Sequence, residues 1–196
     1  MKYLRLAFIV ALVSLMISAA IMTAFPAVAR SASSKSFERG VEAFARVARV
    51  LRSPRCQNCH PAGSAPLRGE DSALHAMNIS RISVDSGLPC AACHQAKNSE
   101  AYGIDGGPPG APEWHLPPAE TPMVFEGRTD RALCQQLRDP AQTGGKDLSG
   151  LLKHVTDDPL VRWGWSPGGS RWPPPIAHRE FVQAFSDWID NDAPCP

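Results

Sequence analysis

The sequence contains the pentapeptide C-x-x-C-H twice, at Cys56-Gln57-Asn58-Cys59-His60 and at Cys90-Ala91-Ala92-Cys93-His94. This is the spacing that attaches a c-type haem. Each cysteine of a pair can add through sulfur to one haem vinyl group. The next residue is then a histidine under the ring, where its imidazole can ligate iron. A bare C-x-x-C would also suit a zinc half-site or a thiol redox pair. Zinc would use the two pairs as four sulfur ligands and leave both histidines idle, so two complete motifs point to two covalently bound haem c groups, with His60 and His94 as proximal ligands.

The sixth position on each iron decides the chemistry. A second protein ligand gives an electron-transferring centre, and an open position lets a small molecule bind. His75 lies in the polar span between the motifs. His115 lies in a Pro/Gly-rich segment after the second, between Trp114 and Leu116. These two are the expected distal ligands, with Met77 and Met123 as alternatives. His154 flanks an apolar helical stripe and His178 opens the last helix, so both are expected at the surface.

Four of the six cysteines belong to the motifs, which leaves Cys134 and Cys195 as the one remaining pair. In an exported protein they are expected to oxidise. The bridge would clip a helix to the C-terminal tail.

Export is read from the N-terminus. Lys2 and Arg5 precede an apolar, nearly uncharged run from Leu6 to Phe25, and Ala27-Val28-Ala29 supplies a small-x-small cleavage pattern. The run is also close to the ~20 residues that span a bilayer, so an uncleaved anchor is the alternative, and a membrane partner follows only in that case. Removing residues 1–29 leaves 18 Lys and Arg against 19 Asp and Glu, a net of −1, which excludes a basic nucleic-acid surface. Residues 30–196 suffice for one domain. They carry 18 of the 19 prolines and every glycine. A chain so rich in turn formers has little regular structure to bury, so the two macrocycles are expected to supply much of its core.

The expected fold is therefore mainly α with extensive irregular loops: a small di-haem cytochrome c domain of about four helices around two haems. Phe37, Val41, Phe44, Val47, Val50 and Leu51 recur at helical spacing up to Ser53-Pro54. A second helix follows an N-cap at Thr129 and ends before Pro140. A third follows Asp147 and places Leu148, Leu151, Leu152 and Val155 on one stripe. The last carries Phe181, Val182, Phe185, Trp188 and Ile189 and stops at Asp192. The segment from Gly103 to Pro122 is too rich in Pro and Gly for regular structure and must wrap something. Ile79 to Val84 is too short to assign, and no strand pattern is convincing. Trp163, Trp165 and Trp172 share one loop, where they either pack on haem and the last helix or form an exposed docking surface.

The runs SPRCQNCHP, HAMN, LPCAACH, GAPEWHLPP, PMVFEG, LCQQLRDPAQTGGK, HVTDDPLVRWGW and DAPCP resemble the small exported c-type cytochromes known as isoquinoline 1-oxidoreductase subunits, over roughly Phe37 to Pro196. The resemblance implies a periplasmic electron-transfer role beside a molybdenum hydroxylase, whose molybdenum cofactor belongs to another polypeptide. On this reading the chain has no catalytic residue of its own and needs a redox partner protein. A small di-haem peroxidase, which needs one open iron and an acid-base group above it, and a haem-based sensor are the alternatives.

Overall fold

The computed structural model of the chain describes residues 33–99 and 107–196. The expected export segment, 1–29, and residues 103–106 of the expected wrap lie outside the described residues. Among those described, seven α-helices account for most of the regular structure. They are α1 (33–51), α2 (Pro54–Gln57), α3 (Arg81–Asp85), α4 (Asp130–Leu137), α5 (Leu148–Asp157), α6 (Pro159–Trp163) and α7 (His178–Asp190). The four long ones are the four expected from apolar periodicity. The three short ones carry too few residues to show a period.

Local chemistry sets the helix ends. Thr129 accepts a hydrogen bond from the Ala132 amide at the start of α4, and Asp147 accepts one of 2.7 Å from Gly150 at the start of α5. Each satisfies an amide that has no partner within its helix. Asp158 does the same for α6 through Oδ1, with Pro159 in the first helical position, where its missing N–H costs nothing. At α7 the Glu180 carboxylate reaches back to the Ala177 amide. Pro54 separates α1 from α2, because the residue before a proline is pushed out of the helical region and Ser53 is accordingly extended.

The four long helices bury one apolar cluster. It is built from Phe44, Val47, Val50 and Leu51 of α1, Leu133 and Leu137 of α4, Leu151 and Val155 of α5, and Phe181, Phe185 and Trp188 of α7. Phe44 lies 4.9 Å from Trp188, and Phe185 meets Trp188 edge to face at 5.4 Å. Phe37 is not part of the stripe: it is 53% exposed, so the buried face of α1 starts a turn later. The helices that build this cluster are the minority of residues that carry the apolar periodicity. No described residue between 57 and 122 belongs to the cluster.

Cys134 of α4 is disulfide-bonded to Cys195, as expected from the cysteine count. The tail that it fixes is itself packed: Pro194 accepts a 3.0 Å hydrogen bond from the Trp188 indole. A Cβ on Gly40 would come within 2.5 Å of the Pro194 ring, so glycine is what lets the tail lie on α1.

The span between the motifs forms a two-residue hairpin, β1 (Leu67–Arg68) against β2 (Ala73–Leu74), then a 3₁₀ turn at Ala76–Asn78 and α3. The hairpin was not foreseen, because strands of two residues show no alternation. From 107 to 122 the chain is irregular, as its Pro/Gly content requires. Among the described residues no helix is long and apolar enough to cross a membrane.

Candidate cofactor-binding site

The first motif starts on α2 at the edge of the core, and the second on a 3₁₀ turn at Cys90–Ala92. The histidine that closes each motif is braced in the same two ways. His60 Nδ1 lies 2.9 Å from the Met123 carbonyl, and the His60 ring stacks on Phe125 at 4.0 Å and 18°. His94 Nδ1 lies 2.6 Å from the Pro109 carbonyl, and the His94 ring stacks on Trp114 at 4.6 Å and 3°. A carbonyl only accepts, so in each case Nδ1 carries the proton and Nε2 keeps a free lone pair. This is how proteins orient a histidine that ligates a metal. Burial holds His60 protonation down to about 4 and lowers that of His94 too, so both rings are neutral at neutral pH.

The same tautomer recurs. His75 Nδ1 lies 2.8 Å from the Ala76 carbonyl, His115 Nδ1 meets the Glu113 carbonyl, and His154 Nδ1 lies 3.2 Å from the Asp158 carboxylate. Five of the six histidines therefore carry the proton on Nδ1. His178 is the exception: its Nε2 lies 2.8 Å from the Val155 carbonyl, which takes up the nitrogen that a metal would need.

These histidines fall into two groups. His75 and His94 have ring centres 5.9 Å apart. Two imidazoles on opposite sides of one metal, each bonded at ~2 Å, have ring centres about 6 Å apart. His60 instead lines a cavity of about 260 Å³ with Cys56, Cys59, Met123, His115 and His154. Its floor is the helical core, with Leu51, Leu151, Phe181 and Phe185, and its mouth lies where His115, Pro118 and Lys146 are exposed. The volume is just below the ~300 Å³ where ligand pockets usually begin.

His154 differs from its expected surface position. It sits on α5 three residues after Leu151 and one before Val155, which turns it toward the buried face, and it lines the cavity. His178 is also half-buried, tilted against Trp165 at 4.7 Å. Met123 gives its carbonyl to His60 Nδ1, on the side of that ring away from Nε2. Met77 is 82% exposed beside His75.

Several non-glycine residues with positive φ flank these histidines: Met77 at 62° and Asn78 at 54° after His75, Glu113 at 54° before His115, and Met123 at 45° against His60. Such conformations cost energy and persist where the surroundings fix them, commonly at functional sites.

The second motif is tied to the rest of the chain by Asn98. It accepts from the Gly110 amide at 2.9 Å and the Trp163 indole at 3.2 Å, and donates to the Pro167 carbonyl at 2.8 Å. A Cβ on Gly110 would lie 2.1 Å from the Lys97 carbonyl, so only glycine lets the wrap pass this close. The tryptophan loop divides its roles. Trp163 lines the first cavity and meets Trp114 edge to face at 4.9 Å, Trp165 stacks on Phe181, and Trp172 is exposed.

The cysteines can be judged against their other uses. Burial pushes the Cys56 thiol up to about 12 and Cys59 to about 11, opposite to the lowered values of redox-active C-x-x-C pairs. Among the described residues no three His, Cys, Asp or Glu side chains are gathered closely enough to hold a metal ion by themselves. The motifs are nonetheless neighbours, since Cys90 is near enough to Cys59 to raise its thiol further.

A haem c fits these residues: thiols at the vinyl spacing, an oriented imidazole beside each pair, and a further imidazole within reach. A buried, unpartnered Arg81 Nη2 near the first site also fits, since Arg81 acts on His60 and donates through Nη1 to Pro117 on the cavity wall. An anionic edge such as a haem propionate would supply its missing partner. Comparison with family models, with curated proteins and with solved structures finds no match for this chain.

Proposed function

We propose that this chain is an exported di-haem c-type cytochrome that passes single electrons between protein partners, and that its helical fold is a small di-haem cytochrome c domain. The observation that carries this reading is the parallel build of His60 and His94. Each follows a C-x-x-C pair, each has its Nδ1 anchored to a carbonyl from a distant loop, and each is stacked on an aromatic ring. Covalent attachment would run through Cys56 and Cys59, and through Cys90 and Cys93. When bound, each haem iron supplies a one-electron ferric/ferrous couple. The residues of the chain hold the imidazoles in the ligating tautomer, exclude water from the first site through the helical core, and keep the two motifs adjacent.

His75 is the distal ligand of the second centre on the strength of its 5.9 Å separation from His94. With both irons closed the chain performs no catalysis alone. The catalytic chemistry belongs to a partner, for which the resemblance noted above suggests a periplasmic molybdenum hydroxylase.

Intact mass of the protein secreted from cells with a cytochrome c maturation system tests the reading. A chain beginning near Arg30 with two haem additions is expected. One haem, or zinc in place of haem, would sink it.

A further inference from the structure

Three histidines line the cavity that would receive the first haem, together with Cys56 and Cys59: His60, His115 and His154. We infer that His154, held by the Asp158 carboxylate, is the distal ligand of the first centre, and that His115 stays at the mouth. The inference rests on the di-haem reading and adds to it the residue that closes the buried iron.

Three features separate the two candidates. His154 projects from a capped helix whose Leu151 and Val155 are in the core, whereas His115 belongs to an irregular segment, and a helix fixes a ligand more closely than a loop. His154 is half-buried and His115 is exposed. The Nδ1 partner of His154 is a carboxylate, the arrangement that raises the basicity of a ligating imidazole, while His115 meets only the carbonyl of Glu113 two residues before it.

Asp158 is placed to do this without strain, because its two oxygens have separate tasks. Oδ1 accepts from the Leu160 and Val161 amides and caps α6; Oδ2 faces His154. The short α5–α6 junction thus sets both the start of the next helix and the tautomer of His154. Asp158 is a positioning residue: it acts on the iron only through His154.

The test uses full-length exported protein carrying His154→Ala, His154→Met, His115→Ala or Asp158→Asn. Intact mass of each confirms two thioether-bound haems before any spectrum is read. His154→Ala should convert one of two low-spin irons to high spin in low-temperature EPR, and the reduced protein should take up one equivalent of carbon monoxide; added imidazole should restore the low-spin signal. His154→Met, which keeps the helix and offers a sulfur, should remain low-spin with one reduction potential raised. Asp158→Asn retains an oxygen for the α6 cap and should keep both irons low-spin while raising one potential, since a neutral amide supports the imidazole less than a carboxylate. His115→Ala should leave spin state, potentials and carbon monoxide uptake at wild-type values.

Carbon monoxide uptake by His115→Ala with none by His154→Ala would overturn the inference in favour of His115. Unchanged spectra in both alanine variants would overturn it in favour of another ligand such as Met123. If His154→Ala fails to accumulate, unchanged potentials in both His154→Met and Asp158→Asn would overturn it equally. A wild-type mass lacking two haems would overturn the di-haem reading, and this inference with it.

Discussion

A histidine becomes a metal ligand by which nitrogen it keeps free. His178 uses Nε2 for the Val155 carbonyl, while His75 uses Nδ1 for Ala76 and leaves Nε2 open beside His94. On the proposed di-haem reading, His75→Ala is expected to open the second iron without releasing its haem, because thioethers at Cys90 and Cys93 would still hold the ring. One equivalent of carbon monoxide should bind to the reduced variant and the first centre should stay low-spin. His178→Ala should bind none. Carbon monoxide titration followed in the visible spectrum distinguishes the two. Unchanged binding in His75→Ala would move the ligand to Met77, two residues on.

At the scale of elements, two kinds of contact hold the site. Caps fix the helices: Thr129→Ala removes the acceptor for Ala132 and should cost about 1 kcal/mol of stability, seen as a lower denaturant midpoint with an unchanged slope. Haem spectra should not change, because α4 contributes its apolar face to the core and no histidine to the site. Close backbone approach fixes the wrap. Gly110→Ala would force a Cβ against the Lys97 and Gln95 carbonyls, next to the Pro109 carbonyl that orients His94. Its effect should be confined to one centre, with altered EPR g-values for the second haem and an unchanged first. A uniform loss of stability with both centres intact would show that the wrap does not position His94.

For the molecule as a whole, the disulfide ties α4 to the tail over 61 residues and, in the chain-entropy model, contributes about 4 kcal/mol. Alkylation of denatured, unreduced holoprotein should label no thiol, and reduction should expose two. The double variant Cys134→Ala and Cys195→Ala should keep both haems while losing most of that stability, measured by denaturant unfolding. The arrangement is also asymmetric. The first motif borders the helical core, and the second lies on a segment outside it, where Leu74, Met77, Ile82 and Leu88 are exposed.

The sequence alone determined what depends on neighbours along the chain. Thioether and imidazole chemistry needs three residues within five, so both motifs were legible, and so were the N-caps at Thr129 and Asp147 and the four long helices, whose signals lie within one or two turns. Pairing Cys134 with Cys195 needed only counting. Whatever depends on residues far apart was decided by the tertiary structure: that His75 lies beside His94, that Met123 supports His60 from 63 residues away, and that His154 lines the cavity of the first motif. His154 did leave a trace, a carboxylate four residues on at Asp158 and a place beside Leu151 and Val155 on the helical stripe. The same pattern is common on solvated helices, however, and only the tertiary structure places His154 in one cavity with the first motif. A histidine acquires its role from what its second nitrogen meets, and that partner is a matter of folding rather than of sequence distance.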